Sequence, residues 1–225
     1  RGEIGDGTDL VSNVETFLFN GRPYMIPVSA AEIAASIAPS TADWRAFVPA
    51  NSPVGLGGSG TVFGSQGKQD VSIIERAGQI TFDASFNRGG DIVRFFGAAS
   101  QWKIALEGSN AKLTSGGTVV FLPVGTGGLS LAFEDGSRTL IHDSAQGAVL
   151  LGNQKLLEAA VTVSAPSQGS LAAPGAATIA SRIFLGQLGG LEVEGNATVF
   201  GTKETEHVYL GRGAITLDGS FNGGD

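Results

Sequence analysis

The feature that most constrains this chain is an internal repeat. Residues 61–91 read TVFGSQGKQDVSIIERAGQITFDASFNRGGD, and residues 198–225 read TVFGTKETEHVYLGRGAITLDGSFNGGD. With three single-residue gaps, about half of the aligned positions are identical. Chance does not produce identity at this density, so both stretches are expected to adopt the same local structure. Because the copies start as far apart as Thr61 and Thr198, we expect a recurring module of domain size rather than one coil of a simple solenoid.

The first copy and the residues that follow it, 59–154, have the pattern of short β-strands. Segments such as QITFDASF, TVVFLPV and LSLAF are rich in Val, Ile, Leu, Phe and Thr, and several alternate apolar with polar residues. Breaks that contain Gly separate these segments, and Asp135-Gly136 is a β-hairpin signal. The sequence therefore predicts an all-β fold, a Gly-rich β-sandwich or β-roll-like module.

Four segments follow from this pattern. Residues 1–58 are predicted to be the tail of a preceding module, with a hairpin around Asn20-Gly21 and a short helix near the N-terminus at 29–39. Residues 59–154 form a complete module, 155–197 a linker or loosely held loop, and 198–225 the truncated start of a second copy. The chain opens at Arg1 without a leader, so we expect a segment of something longer.

Charge and composition exclude several classes of function. Lys and Arg number 14 against 21 Asp and Glu, giving a net charge of −7, which argues against nucleic acid or an anionic membrane surface as a partner. Cys is absent, which excludes disulfides, thiolate nucleophiles and iron–sulfur clusters. No apolar stretch has the length of a membrane span, so no membrane insertion is expected.

The richest polar constellation is the turn Asp83-Ala-Ser-Phe-Asn87-Arg-Gly-Gly-Asp91 and its echo in the second copy. Carboxylate and amide oxygens spaced through a Gly-rich turn suit hard cations such as Ca²⁺. The competing interpretation is that Asp and Asn cap the turn through its own backbone, while Gly-Gly makes the bend. A further Gly-Asp segment near the N-terminus has the same two interpretations. The candidate calcium ligands are Asp83, Asn87, Asp91, Asp218, Asn222, Asp225, Asp6 and Asp9.

These segments resemble a known family. The stretch GDGTDLVSNVETFLFNG at 5–21 is similar to segments that flank calcium-binding repeats in RTX (repeats-in-toxin) proteins, and both repeat copies resemble modules of very large Gram-negative surface proteins. The resemblance covers about a third of the chain, and the tandem GGxGxDxxx nonapeptide of the family does not occur. It implies a secreted, cell-surface protein of adhesin, biofilm or surface-layer type, stabilised by calcium.

Motifs for enzymatic chemistry are incomplete, so we expect no enzyme. The run Gly55–Gly60 matches GxGxxG, but a strand pattern follows it instead of a helix. His142, Asp143 and Ser144 are consecutive residues, which cannot hydrogen-bond to one another in the order of a catalytic triad. The alternating pair Glu192/Glu194 fits a solvated strand face better than glycoside chemistry.

The alternative function is a carbohydrate-binding β-sandwich attached to a secreted enzyme, with surface glycans as partners. Trp and Tyr number only two each, and the 13 Phe suit core filling. The other expected partners are neighbouring modules or copies of the chain itself. A module that breaks off at Asp225 leaves a sheet edge that invites another strand, and head-to-tail complementation between copies would give an open filament. A simple fragment boundary is the competing explanation.

Overall fold

A computed structural model of the protein describes residues 16–19, 22–25, 44–186, 190–202 and 206–222. This part of the chain is all-β, as the sequence predicts, and its stacked coils resemble a β-solenoid or β-roll. Its only helical elements are three short 3-10 helices, Ala84–Asn87, Ala99–Gln101 and Gly219–Asn222. No helix in these ranges is long and apolar enough to cross a membrane. The helix expected at 29–39 lies outside the described residues.

The strands follow one another closely along the chain. The first ten are β1 (Thr16–Phe19), β2 (Arg22–Met25), β3 (Trp44–Val48), β4 (Val54–Gly58), β5 (Gly60–Gly64), β6 (Asp70–Ile73), β7 (Gly78–Phe82), β8 (Ile92–Arg94), β9 (Lys103–Glu107) and β10 (Asn110–Ser115). The others are β11 (Thr118–Pro123), β12 (Leu129–Phe133), β13 (Gly136–Asp143), β14 (Ala148–Leu151), β15 (Gln154–Lys155), β16 (Val161–Thr162), β17 (Ser181–Phe184), β18 (Gly190–Phe200) and β19 (His207–Leu217).

Strands β1 and β2 pair antiparallel as a two-stranded sheet of their own, which confirms the hairpin expected there. The remaining strands build two sheets. Sheet A runs in the order β17–β3–β5–β7–β11–β10–β9–β16, and sheet B runs β4–β6–β8–β12–β13–β14–β15. The long strand β18 joins them, because its first half pairs with β4 and its second half with β17. Strand β19 pairs with β18 along both halves.

The parallel pairings make the molecule a stack of coils. From β3 to β8 the chain alternates between the sheets, and each strand lies parallel to the strand one coil earlier. After β8 the hairpin β9–β10 extends sheet A, and after β12 the antiparallel strands β13–β15 extend sheet B. The chain then returns, and β17–β19 stack on the other side of β3 and β4, with antiparallel contacts β17–β3 and β18–β4.

The two sequence copies occupy equivalent places in this stack. In the first copy Thr61 pairs with Thr81 and Val62 with Phe82, whereas in the second Thr198 pairs with Thr216 and Val199 with Leu217. The recurring unit is therefore a pair of consecutive coils, β5–β6–β7 in one copy and β18–β19 in the other, within one continuous stack. The repeat encodes the register between neighbouring coils.

The core lies between the two sheets and is apolar along its whole length. Strands of the coils alternate buried and outward residues, as in β3, where Trp44, Ala46 and Val48 are buried and Arg45 and Phe47 are exposed. The Trp44 indole N–H donates to the carbonyl of Gly57 at 3.1 Å, so this polar group is satisfied inside the core. Apolar side chains of β3 through β18 form one contiguous cluster.

The stretch 155–197, for which the sequence predicts a linker or loosely held loop, contains strands β16 and β17 and the start of β18. The segment 163–180, between β16 and β17, holds most of its small, polar residues. In the structure it is a strap that runs from β16 back to β17, tied along its length by hydrogen bonds. The Arg138 Nε donates to the carbonyl of Ala165 at 3.0 Å, and the Ser137 backbone N–H and hydroxyl both donate to the carbonyl of Gly169 at 2.7 Å. Farther on, Arg94 donates to the carbonyl of Ala172 at 2.7 Å.

Candidate functional site

The repeated turn between β7 and β8 is the candidate site that the sequence singles out. Asp83 follows β7 and caps the 3-10 helix Ala84–Asn87: its Oδ1 accepts from the backbone N–H of Ser85 at 3.2 Å and from the Ser85 hydroxyl. The same oxygen accepts from the backbone N–H of Gly64 at 3.4 Å. Since Gly64 ends β5 in the preceding coil, Asp83 joins one coil to the next.

Asp91 binds the other end of the turn between β5 and β6, residues 64–69. Its side chain is buried, and its Oδ1 accepts from the backbone N–H of Gln69 at 2.8 Å. Burial raises the pKa of the Asp91 carboxyl above its ordinary value, and the hydrogen bond from Gln69 offsets part of that rise. Asp83 and Asp91 therefore accept hydrogen bonds from Gly64 and Gln69, the two ends of the turn between β5 and β6.

Gln69 adds a third oxygen beside this turn. The side chain is fully buried, and its Nε2 donates to the carbonyl and the hydroxyl of Ser65 at 3.3 and 3.2 Å. Its Oε1 is buried without a hydrogen-bond partner. A Cβ on Gly64 would lie 2.8 Å from this oxygen and 2.5 Å from the Ser85 hydroxyl, so the absence of a side chain at Gly64 is what lets these oxygens approach.

The second copy repeats part of the arrangement. The Asp218 backbone N–H donates to the carbonyl of Val199 at 3.0 Å, as the Asp83 N–H donates to that of Val62 at 2.9 Å. Phe221 lies against Gly201 as Phe86 lies against Gly64. The residue equivalent to Gln69 is Glu206, which is buried and accepts from the Thr202 backbone N–H at 2.5 Å.

The remaining predicted ligands are placed less fully. Asn87 ends the 3-10 helix, and its backbone carbonyl packs against Gly125. Asp6, Asp9 and Asp225 lie outside the described residues, and of Asn222 only the backbone is described. Within the described ranges, His, Asp and Glu side chains form no group of three or more that could hold a metal ion. A cation in the repeated turn would therefore depend on amide, hydroxyl and backbone oxygens as well as carboxylates.

The residues of the incomplete enzyme motifs have structural partners. Asp143 caps the turn between β13 and β14: its Oδ1 accepts from Ala145 N–H at 2.8 Å, and its Oδ2 from the Gln146 side chain at 2.7 Å. The hydrogen bonds from Gln146 lower the pKa of Asp143. In the GxGxxG stretch, Gly58 has φ +92° at the corner between β4 and β5, so this run turns the chain between the sheets.

Glu192 and Glu194 lie on the outer side of β18, opposite Gly57 and Gly55 of β4. Arg76 approaches Glu192 to 4.0 Å and also lies over the Tyr209 ring, with its Cζ 3.9 Å from the ring centroid. Burial raises the pKa of the Glu192 carboxyl above its ordinary value. The nearby Arg76 offsets part of that rise, and the negative charge of Glu194 adds to it. This cluster couples the connection between β6 and β7 to β18 and β19.

Sequence reasoning missed a row of four Phe rings on the outer face of sheet A. Phe63 and Phe47 stack with centroids 5.0 Å apart, Phe47 meets Phe184 edge-on at 5.8 Å, and Phe184 stacks on Phe200 at 4.6 Å. The signal was available, because a buried Val62 places Phe63 outward in an alternating strand. Phe63, Phe184 and Phe200 are partly buried, and Phe47 is the exposed ring of this row.

Comparisons with protein-family models, with curated proteins and with solved structures each found no match for this chain.

Proposed function

We propose that this chain is a non-enzymatic structural or adhesive module of an extracellular bacterial surface protein, stabilised by calcium. The observation that carries the proposal is the repeated coil, which recurs with the same register between neighbouring coils in both copies. A fold made of such coils extends by adding units, which suits a protein that spans distance or presents a surface.

The turn 64–69 supports the calcium part of the proposal. Asp83 and Asp91 direct carboxylate oxygens at this turn, and Gln69 Oε1 is buried beside it without a partner. Glu206 brings a buried carboxylate to the equivalent place in the second copy. Oxygen donors of this kind are what Ca²⁺ prefers.

Thermal unfolding with millimolar calcium and with a chelator tests this. Asp83→Asn keeps an oxygen that can cap the 3-10 helix but removes the charge. We expect calcium to raise the midpoint temperature of unfolding of the unchanged protein by several degrees, because an ion that binds only the folded state stabilises that state. The rise should be largely lost in Asp83→Asn and kept in Asp143→Asn, where the changed residue caps an unrepeated turn.

An unchanged midpoint would contradict the calcium part and leave these Asp residues as turn caps.

One observation favours the alternative, carbohydrate-binding function: Phe47 is 43% exposed and lies opposite Arg182 on the outer face of sheet A. A glycan array distinguishes the two functions. Binding that Phe47→Ala abolishes would replace the structural module with a glycan-binding one.

A further inference from the structure

Among the residues that the structure describes, strand β19 is the last strand at one end of the coil stack, which we call the open end. In the first copy, the inward positions of β6, β7 and the following 3-10 helix are at most 3% exposed; they are Val71, Ile73, Ile80, Phe82 and Phe86. At the equivalent positions of the second copy, Leu210 is 54% and Leu217 is 42% exposed, and Val208, Ile215 and Phe221 are only partly buried.

The difference comes from what covers each coil. Strand β8 pairs with β6, and β11 pairs with β7, so the first copy is covered in both sheets. Among the described residues, β19 pairs with β18 alone. The side chains that form part of the core in the first copy therefore form an exposed apolar surface in the second. A surface of this kind is typical of an interaction site.

The backbone at this end is also able to pair. The Asp218 N–H donates to Val199 of β18, so by the alternation of a strand the N–H groups of Leu217 and Ile215 point away from β18. The strand is eleven residues long and contains no Pro and no acidic residue. Edge strands that avoid pairing are usually short, interrupted by Pro, bulged or charged on their inward side. Strand β19 is long and has no Pro and no acidic residue, and its one bulge, at Gly211 and Arg212, precedes the half that contains Ile215 and Leu217.

The opposite end of the stack is closed. Its edge strands, β15 and β16, are two residues long each, and Leu156 and Val163 beside them are 3% exposed. Leu157 and Val161 are exposed there, but the strands offer few backbone groups. A contact between β19 of one copy and this end of another would leave most of β19 unpaired.

The chain contains its own example of two coils joined antiparallel. Strand β17 pairs antiparallel with β3 in sheet A, and β18 pairs antiparallel with β4 in sheet B. Across this junction Phe47 contacts Phe184. Coils of this type can thus meet head-on in both sheets at once.

We propose that the open end formed by β19 binds the same end of a second copy, with antiparallel pairing about a two-fold axis. The contact is self-complementary, so it closes as a dimer, in contrast to the open filament expected from head-to-tail pairing. The inference goes beyond the proposed function, because it requires neither calcium nor a location outside the cell.

Sedimentation of the chain over a concentration series tests the dimer. We expect a monomer–dimer equilibrium for the unchanged chain. Leu217→Pro removes an N–H that points away from β18, a position where an edge strand accepts Pro, so we expect a folded monomer whose dimer dissociation constant rises at least tenfold. Leu217→Ala keeps the N–H and should weaken the dimer less.

The matched control is Thr162→Pro in β16. The Val163 N–H donates to Trp102, so the Thr162 N–H points away from its neighbour β9 in the same manner. The two-fold dimer should survive Thr162→Pro. Loss of association in both variants, or growth beyond a dimer, would overturn the proposal in favour of head-to-tail pairing. Monomers at every concentration, without a concentration-dependent rise in the amide protection of Ile215 and Leu217, would overturn it outright. The thermal unfolding experiments with calcium use dilute protein, in which the dimer dissociates. Failure of the calcium proposal is therefore distinguished from failure of the dimer proposal.

Discussion

Among single residues, Asp91 links the stability of the fold to pH. Its carboxyl is buried, its pKa is raised by burial, and it accepts a hydrogen bond from the Gln69 N–H. Because the folded-state pKa lies above the unfolded one, the contribution of this group to stability is fully present below the unfolded value. It is lost as pH rises through the folded value. At neutral pH the folded protein carries the cost of a buried charge.

Asp91→Asn keeps an oxygen for the Gln69 N–H and removes that charge. We expect the free energy of unfolding of the unchanged protein, relative to Asp91→Asn, to improve between pH 7 and pH 4, because the raised pKa makes the folded state bind the Asp91 proton more readily than the unfolded state. Urea unfolding in a chelator at both pH values measures this difference.

Asp143→Asn is the control with the opposite sign. Hydrogen bonds from Gln146 lower the pKa of Asp143, so its contribution is present at neutral pH and is lost as pH falls through the folded value. A difference between the protein and Asp91→Asn that does not change with pH would contradict the account of Asp91.

The sequence identified Asp83 and Asp91 as a repeated pair but not the groups they bind. Their partners, Gly64 and Gln69, lie in the preceding coil, and only the register between coils brings them together. Carboxylates spaced through a Gly-rich turn fit cation binding and turn capping equally well. The sequence pattern therefore indicated a site and left its chemistry open.

Among the elements, the corners between the sheets depend on glycine. Gly58 has φ +92°, and a Cβ there would overlap with the carbonyl oxygen of Gly190. Gly195 has φ +98° at the equivalent corner of the second copy. Both corners are crossed by the backbone of the next coil, at Gly78 and Gly213, so a side chain would push the coils apart.

Gly58→Ala should therefore cost on the order of 3 kcal/mol or more of unfolding free energy, from backbone strain together with the steric clash. Gly108→Ala is the matched control, because Gly108 has φ +61° but nothing lies within 4 Å of its Cβ position. It should cost about 1–2 kcal/mol, the strain alone. Equal losses of stability in urea unfolding would mean that coil stacking does not constrain the corner.

The strand pattern was predictable because the alternation of buried and exposed residues is local. The alternation predicts the fold class, whereas the Phe content alone suggests core filling and does not identify the Phe side chains on the outer face of sheet A. In β3, the buried Trp44, Ala46 and Val48 fix Phe47 as outward. Which outward rings meet one another depends on the antiparallel junction of β3 with β17, and no local pattern reveals that junction.

At the scale of the whole molecule, the strap 163–180 lets both sequence copies share one stack, because it carries the chain from one end to the other. Its composition favours a loop, and its order comes from partners elsewhere in the sequence. Arg138 is the charged partner: it is 5% exposed, it donates to Ala165, and it pairs with Asp135 through two hydrogen bonds of 2.9 and 2.7 Å. The pair lowers the pKa of Asp135.

Arg138→Ala should free the first part of the strap, around Ala165, from β13. We expect a loss of about 2–4 kcal/mol in unfolding free energy, because Asp135 and the carbonyls of Ala165 and Gly136 lose a buried charged donor. Native-state proteolysis should then cut within 163–180 well before the sheets unfold. Lys112→Ala removes the more exposed pair with Glu107 at 2.9 Å and the contact of Lys112 with the Phe121 ring, and should cost about 1 kcal/mol or less without new cleavage. If Arg138→Ala lowered stability but left the strap resistant, the order of the strap would come from its contacts with Ser137, Arg94 and Ser52 instead.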